Sequence, residues 1–423
     1  MRISAFCAAV LTCVVLGHRP PAAAQVDQQL AEEYFKEARA LCERDGGRLW
    51  GVSLCAPLVI ADQRTHTLAT SQPPPDAPWP RVLGLVNAPI EWGGTTWVSF
   101  SWDFVAGLAS PRSRRELFIH EMFHRVQPGL GLMQLAAPNE HVDAMDGRYW
   151  LKLEWRALAR ALRESGAARV DAVRDALAFR QARRALYAGS AEDERKVEIT
   201  EGLPHYTAIV VAASSPADAI ASAIDQLLGG AETRESVLRT FPSTTIPAYG
   251  LLLDVSSDGW RTRVRNTDDI GTLLMNALSV RPAANAAASA ERYGGAEIRR
   301  SEEQREQQRQ DRLAALRRQF IDGPVLVMPG NGSAGSNSTG AVVIQGSGTV
   351  YFGAFKASGP WGTLDAEKGV LVATDGSSRR VSAPVRRDDG TFAGDGWTFR
   401  AAPGWVVREG ARRGDYEVVR QQP

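Results

Sequence analysis

The feature that most constrains this chain is the run from His120 to His124, which reads His-Glu-Met-Phe-His. A capping hydroxyl followed by proline begins a predicted helix at Ser110, and a Pro-Gly pair at Pro128 ends it. Residues four apart on a helix project from the same face, so the two imidazoles point the same way. That arrangement is suited to hold one metal ion, with Glu121 within reach of a water on that metal.

The motif is specific enough to predict chemistry. The chain has only 6 histidines, and a chance match to His-Glu-x-x-His in a chain of this length has a probability on the order of 1%. The alternative is an ordinary helix. For a zinc hydrolase, Zn²⁺ would lower the pKa of water and polarise the scissile carbonyl. Glu121 would then take the proton of the water and deliver it to the leaving amine.

Composition sets broad limits on the class of protein. Hydrophobic residues make up 44% of the chain and charged residues 23%, which is ordinary for a globular protein. The formal net charge of +1 predicts no strong attraction to nucleic acid or to membrane surfaces. The 423 residues are sufficient for two or three domains. The oligomeric state is left open.

The first 24 residues have the pattern of a signal peptide. Arg2 supplies the positive start, the apolar run from Ile3 to Leu16 is too short to span a bilayer, and three alanines ending at Ala24 form a small-residue cleavage site. No later stretch is long and apolar enough for a membrane span. We therefore expect a secreted or periplasmic protein.

Cleavage after residue 24 leaves two cysteines, Cys42 and Cys55. In an oxidising compartment a pair of this kind is expected to form one disulfide. Two free buried thiols are the alternative. Zinc ligation by these cysteines is not favoured, because a ligand set has already begun at the histidine motif.

A catalytic zinc site needs a third protein ligand and an open position for water. Glu201 lies in the run from Glu198 to Tyr206, which reads Glu-Ile-Thr-Glu-Gly-Leu-Pro-His-Tyr. Together with the histidine motif, this run resembles the gluzincin metallopeptidases, the thermolysin- and aminopeptidase N-like clan. Their third ligand is the glutamate of an Asn-Glu-Gly-Phe-Ala or Glu-Gly-Leu-Ala-Glu-Tyr segment on a later helix. The resemblance implies Zn²⁺ held by His120, His124 and Glu201.

Two departures from that pattern leave the third ligand open. Pro204 and His205 replace the usual Ala-Glu, and the proline is expected to end or bend the helix. The long interval before Glu201 also offers Glu154, which borders the apolar stripe of its predicted helix. A carboxylate there needs a cation, either zinc or an arginine. Glu198 or a histidine, such as His141 or His205, stays as a further alternative.

The predicted reaction is hydrolysis of a peptide or protein substrate. His205, Tyr206 and Tyr249 are candidate donors to the developing oxyanion, and for either tyrosine a core role is the alternative. Two other functions remain open. One is a zinc hydrolase of a non-peptide amide or ester, and the other is a non-catalytic exported binding protein on the same scaffold.

The element pattern predicts an α+β fold: a zincin-like catalytic domain with a mostly helical extension, and a small C-terminal all-β domain. The predicted boundaries are a signal peptide over 1–24, a zincin-like metallopeptidase domain over 25–285, a charged connecting helix over 286–320 and a β-rich domain over 321–423. Within these, strands are expected over Leu58–Ile60, His66–Ala69 and Thr96–Phe100, and helices over Ala217–Thr240 and Ala248–Val255. The Gly-, Ser- and Asn-rich run from Pro329 to Gly340 is expected to be a flexible loop.

Overall fold

The computed structural model confirms the mixed α+β class and describes residues 25–108, 110–229 and 234–421. The predicted signal peptide, residues 1–24, lies outside the described residues. The described chain forms two compact units, which divide between Arg299 and Arg300.

The first unit begins with a helix and a small sheet. Helix α1 (Gln28–Asp45) is capped by the carboxylate of Asp27, which accepts from the backbone N–H of Leu30. Four strands follow: β1 (Leu58–Asp62), β2 (Thr67–Thr70), β3 (Ala88–Trp92) and β4 (Thr95–Ser101). Their order is β2-β1-β4-β3, with β1 parallel to β4 and the other pairs antiparallel. Strand β1 is therefore central and fully buried, whereas β3 is an edge strand.

Helices make up the rest of this unit. They are α2 (Trp102–Ala106), α3 (Pro111–Val126), α4 (Met145–Arg163), α5 (Gly166–Ala185), α6 (Ser190–Val197), α7 (Leu203–Ala212), α8 (Pro216–Leu228), α9 (Phe241–Asp254), α10 (Trp260–Arg263), α11 (Ile270–Ala277) and α12 (Ala286–Ala290). A single π-helical turn, Glu198–Gly202, joins α6 to α7. Because α3 packs directly against α7, this turn lies beside the histidine helix.

Helix α3 forms where the sequence predicts it. The Ser110 hydroxyl accepts from the backbone N–H of Ser113, and Pro111 occupies the first helical position. The face that contains Phe118, Met122 and other apolar side chains is buried in the main core. Each fully buried side chain of this size stabilises the fold by about 1.5–3 kcal/mol relative to exposure. The apolar face thus fixes the rotation of the helix, and with it the direction of the histidines.

Two glycines, one in the π-helical turn and one in α9, let α9 lie close to the turn and to α7. A Cβ on Gly202 would lie 2.5 Å from Cγ1 of Ile246, and a Cβ on Gly250 would lie 2.3 Å from the ring of Tyr206. Neither distance is compatible with an ordinary side-chain contact, so both positions require glycine at this spacing. The close approach fixes the turn against α9.

Two predictions about these helices are wrong. The predicted helix from Ala217 to Thr240 ends at Leu228, because Gly229 has a backbone conformation outside the helical region. The helix that is expected to begin at Ala248 begins at Phe241 instead. The proline within it, Pro247, indicated a helix start by the usual rule, but here it is accommodated inside the helix.

A disulfide joins Cys42 and Cys55, with their Cα atoms 5.3 Å apart, as the sequence predicts. It ties the end of α1 to the segment that leads into β1. Disulfides of this kind are typical of proteins in a non-reducing compartment. None of the helices in the described part of the chain combines the length and the apolar character that a membrane span requires.

The second unit is a curled sheet with a helix packed on it. Helix α13 (Gly295–Arg317) contains the division point, and a π-helical turn (Arg318–Asp322) follows it. The eleven strands are β5 (Val325–Pro329), β6 (Ser333–Ile344), β7 (Gly348–Gly359), β8 (Gly362–Ala366), β9 (Val370–Ala373), β10 (Ser378–Ser382), β11 (Val385–Arg386), β12 (Phe392–Gly394), β13 (Trp397–Ala401), β14 (Trp405–Glu409) and β15 (Tyr416–Arg420). Trp361, Trp397 and Phe399 anchor its core, and Leu316 and Phe320 pack with strand residues in a smaller cluster.

The predicted flexible loop from Pro329 to Gly340 is wrong. Most of that run belongs to β6, which pairs with β7 in a long antiparallel ladder with a register shift near Gly340. The composition of glycine, serine and asparagine argued against a strand. A ladder is made by backbone groups, however, and a long partner strand can hold residues whose own β-propensity is low.

Candidate metal centre

Three side chains converge at the junction of α3 and the π-helical turn. The Nε2 atoms of His120 and His124 are 3.0 Å apart, and Oε2 of Glu201 lies 3.4 Å from the first and 3.7 Å from the second. Within residues 25–108, 110–229 and 234–421, this is the one group of three or more His, Cys, Asp or Glu side chains close enough to share a metal ion. The structure thus brings together the three residues that the sequence predicts as ligands.

The three atoms fit a tetrahedral metal. Zinc binds imidazole nitrogen and carboxylate oxygen at about 2.0–2.2 Å, so neighbouring ligand atoms around one ion lie roughly 3.3 Å apart. The observed separations of 3.0, 3.4 and 3.7 Å are close to that value. Two nitrogens and one oxygen also form a ligand set that zinc accepts, and three protein ligands leave a position open for water.

The protonation states suit metal binding. Burial lowers the pKa of His120 to about 4, although the hydrogen bond to Glu201 opposes it. Burial also acts on Glu201, but hydrogen bonds from both histidines hold the pKa of its carboxyl well below the usual range. For His124, burial is outweighed by the hydrogen bond to Glu201 and by the charge of Glu121, so its pKa is raised. At neutral pH the site therefore offers a carboxylate and at least one neutral imidazole.

Glu121 lies next to the ligands without belonging to them. Its side chain is only 8% exposed. Burial raises its pKa to about 8, and the negative charge of Glu201 adds to that effect. A buried carboxyl of raised pKa has the proton affinity of a base that can work near neutral pH.

Two open cavities meet at the centre. One, of about 810 Å³, lies between residues of α3, α7, α8 and α9. The other, of about 830 Å³, lies between α3, the edge strand β3 and the turn that carries Glu201. His120 and Glu121 line both cavities. A substrate that extends on either side of the ligands therefore has room on each side.

The rival ligands Glu154 and Glu198 belong to a buried ion-pair cluster instead. The Glu154 carboxylate accepts hydrogen bonds from Arg180, Arg183 and the hydroxyl of Tyr249. Glu198 accepts from Arg180. These carboxylates have cationic partners already, as a buried charge requires. Of the alternatives weighed from the sequence, the arginine partner is therefore the one observed for Glu154.

The two candidate tyrosine donors are engaged away from the ligands. The hydroxyl of Tyr206 donates to the carboxylate of Asp254 at 2.8 Å, and that of Tyr249 donates to Glu154 at 2.8 Å. Both rings are fully buried. The core role that was the alternative for each tyrosine is the one observed.

His205 lies near the ligands, with its ring 5.8 Å from that of His120, and it lines the first cavity. Its Nε2 is 2.8 Å from Oε1 of Gln226, whose amide nitrogen lies 3.3 Å from the carboxylate of Glu116. Burial lowers the pKa of His205, so the neutral ring donates its one N–H to Gln226. His141 is elsewhere, with its Nε2 2.8 Å from Glu194.

The sequence did not indicate a role for Gln127, which contacts both His124 on α3 and the π-helical turn that carries Glu201. Its side chain is fully buried and reaches His124 as well as the backbone of the π-helical turn. The available signal was its position three residues after His124, because residues three apart share a helix face. Its second contact depends on the turn and has no local signal.

Comparisons of the chain with protein-family models, with curated proteins and with solved structures find no match. The functional evidence is therefore the site itself: three potential ligand atoms converge, a buried carboxyl lies beside them, and two cavities open onto both.

Proposed function

We propose that the chain is an exported, zinc-dependent metallopeptidase of the gluzincin type, with residues 25–285 forming a zincin-like catalytic region. The observation that carries the proposal is the convergence of His120, His124 and Glu201 next to Glu121, in a place that two cavities share. The His-Glu-x-x-His helix and the later glutamate segment give the same ligand order as the clan that the sequence resembles.

The chemistry divides between the metal and the protein. A zinc ion held by these ligands supplies Lewis-acid chemistry, acidifying water and polarising a carbonyl. Glu121 acts as the general base: its carboxylate takes a proton from the attacking water and passes it to the nitrogen of the leaving amine. Such proton transfer contributes roughly 10²–10⁴-fold to a rate.

The edge strand β3 supports a peptide as substrate. The second cavity is lined by a run of residues from Asn87 to Glu91 as well as by His120 and Glu121. An edge strand leaves backbone groups available, and an extended peptide can pair with them in the manner of an added strand. A peptide bound in this way would run past the ligand atoms with its carbonyl groups in reach.

Export is supported by two observations. The Cys42–Cys55 disulfide is typical of a non-reducing compartment. The first 24 residues have the charge and apolar pattern of a signal peptide. We propose that the enzyme acts in the periplasm or outside the cell.

The test replaces Glu121 with glutamine, which keeps the shape of the side chain and removes the base. Profiling a peptide library with the wild-type protein identifies a substrate, and we expect E121Q to cut it about 10²–10⁴-fold more slowly. E121Q should hold as much zinc as the wild type. The control is E32Q, a change at an exposed residue of α1 that pairs with Lys36 and should leave turnover unchanged. Equal turnover by E121Q and wild type would contradict the assigned role.

A further inference from the structure

We propose that Gln127 is the positioning residue of this site: its one side-chain amide fixes the ring of His124 and holds the turn that carries Glu201. The inference rests on the proposed metal site. It goes beyond the ligand set, because it explains how His124 and Glu201, which lie on separate segments, are held in a fixed arrangement.

The contacts of Gln127 join the two segments directly. Its side chain is 0% exposed. Its Oε1 lies 2.8 Å from Nδ1 of His124, on the same helix. Its Nε2 donates to the carbonyl of Ile199 at 2.9 Å and lies 3.4 Å from that of Thr200, both in the π-helical turn. One amide group thus contacts the backbone just before Glu201 and the ring of another ligand.

The turn needs a donor from outside because of Pro204. In the π-helical register a carbonyl pairs with the N–H five residues later, as Glu198 does with Leu203. The residue five after Ile199 is Pro204, which has no N–H. An unpaired buried carbonyl costs about 1–3 kcal/mol. Gln127 supplies the missing donor.

These hydrogen bonds also determine the orientation of the Gln127 amide and the tautomer of His124. Backbone carbonyls only accept, so the amide that faces Ile199 must be the –NH₂ end of Gln127. Its oxygen then faces His124, and an oxygen can only accept. Nδ1 of His124 therefore carries a proton, and in the neutral ring Nε2 is left with its lone pair toward His120 and Glu201. Nε2 of Gln134 also lies 2.8 Å from this Nδ1. Two N–H groups cannot hydrogen-bond to each other, so a protonated Nδ1 requires the other orientation of the Gln134 amide, with its oxygen toward the ring.

We expect the contacts of Gln127 to raise the affinity of the proposed site for zinc. Groups that orient a ligating histidine through its second nitrogen typically change metal affinity about 10–100-fold when they are lost. Loss of Gln127 should lower metal affinity through both segments, because it frees the ring of His124 and also loosens the turn that presents Glu201.

The first test uses the metal-free wild-type protein. Histidines labelled with ¹⁵N report their tautomer by NMR at a pH where the ring is neutral, and the signal of His124 is identified by its loss in H124A. We expect the tautomer with the proton on Nδ1. A proton on Nε2 would overturn the proposal, and this outcome does not depend on whether the protein binds metal or cuts peptides.

The second test measures zinc affinity by competition with a chromophoric chelator. Gln127→Leu should weaken binding about 10–100-fold while the far-ultraviolet circular dichroism stays unchanged. The matched control is Gln226→Leu, a glutamine that contacts His205 and Glu116 but no proposed ligand, and its zinc affinity should not change.

The outcomes separate the two proposals. Unchanged affinity in Gln127→Leu, or an equal loss in Gln226→Leu, would overturn the role of Gln127. A wild-type protein that takes up no zinc would contradict the proposed function, while the tautomer of His124 would still decide the inference. If Gln127→Leu does not fold, the tautomer measurement decides it alone.

Discussion

At the scale of single residues, Glu201 and Glu154 show how the partners of a carboxylate decide its role. Both lie on helical segments, and both need positive charge or donors nearby. Glu154 is fully buried between two guanidinium groups and a tyrosine hydroxyl. Glu201 faces two imidazoles at a place that opens to a cavity. Only the second can accept an ion from solution.

This difference predicts opposite effects of two similar substitutions. Glu201→Gln should weaken zinc binding by more than the roughly 10–100-fold that loss of a group behind a ligand causes. Glu154→Gln should retain zinc but lower the free energy of unfolding by about 1–3 kcal/mol, because it removes one of the two carboxylates that pair with Arg183 in the core and leaves buried donors poorly matched. Chelator competition and urea unfolding measure the two quantities. The reverse pattern would move the ligand role to Glu154.

The sequence predicts residues of this site wherever the information is local. His120, Glu121 and His124 follow from helix periodicity, and Glu201 follows from a short motif. The contact of Gln127 with the turn could not be predicted, because Ile199 is distant in sequence and its carbonyl needs a donor only in the observed register. The partners of the two candidate tyrosines likewise depend on tertiary packing.

At the scale of elements, the π-helical turn is what allows a helix with Pro204 to continue. The sequence predicted that the proline would end or bend the helix. Instead the wider turn precedes it, and Pro204 occupies the first turn of α7, where a missing N–H is tolerated. Such single turns are often found at functional sites. Here the turn presents Glu201 toward α3.

The packing of this turn against α9 predicts the effect of a single methyl group. Gly202→Ala would place Cβ 2.5 Å from Ile246, so the turn must shift. We expect a loss of about 1–3 kcal/mol in unfolding free energy together with weaker zinc binding, since Glu201 is the preceding residue. Gly129→Ala is the matched control: its Cβ would meet nothing within 4 Å, and stability should change by less than about 0.5 kcal/mol. Unaltered zinc affinity in Gly202→Ala would contradict this role of the turn.

Most helices and several strands of the first unit could be predicted, because capping residues and periodicity are local signals. Strand β3 was missed, since Pro89 argues against a strand in the interior of a sheet. Strand β3 lies at the edge of the sheet, where a proline without an N–H is tolerated. The parallel pairing of β1 with β4 could not be predicted either, because nothing local specifies which distant strands pair.

At the scale of the whole molecule, a buried network of ion pairs crosses the helical core of the first unit. Arg180, Arg183 and Arg184 contact four carboxylates, which are Glu154, Glu194, Glu198 and Asp269. Abundant arginine is visible in the sequence, but burial of these three is not. The charges of Arg180 and Arg184 hold the pKa of Asp269 well below its usual range, although burial opposes them.

This network predicts how stability depends on pH. Because the folded pKa of Asp269 lies below its unfolded value of about 3.9, its contribution is present above that value and is lost as the pH falls through the folded pKa. The unfolding free energy should therefore fall from roughly pH 5 downward. Asp269→Asn keeps the cap of α11 but removes the charge, so the slope should lessen by up to about 1.4 kcal/mol per pH unit. Urea unfolding of chelator-treated protein at a series of pH values measures this slope. Equal slopes for the wild type and Asp269→Asn would contradict the prediction.

The central claim is that His120, His124 and Glu201 hold one zinc ion. The most direct measurement is calorimetric titration of metal-stripped protein with Zn²⁺, repeated for His124→Ala and for His66→Ala, which changes an exposed histidine stacked on Trp79. We predict one ion per chain in the wild type and in His66→Ala, and none at comparable affinity in His124→Ala. A wild-type protein that takes up no zinc, or a His124→Ala variant that binds it equally well, would contradict the claim.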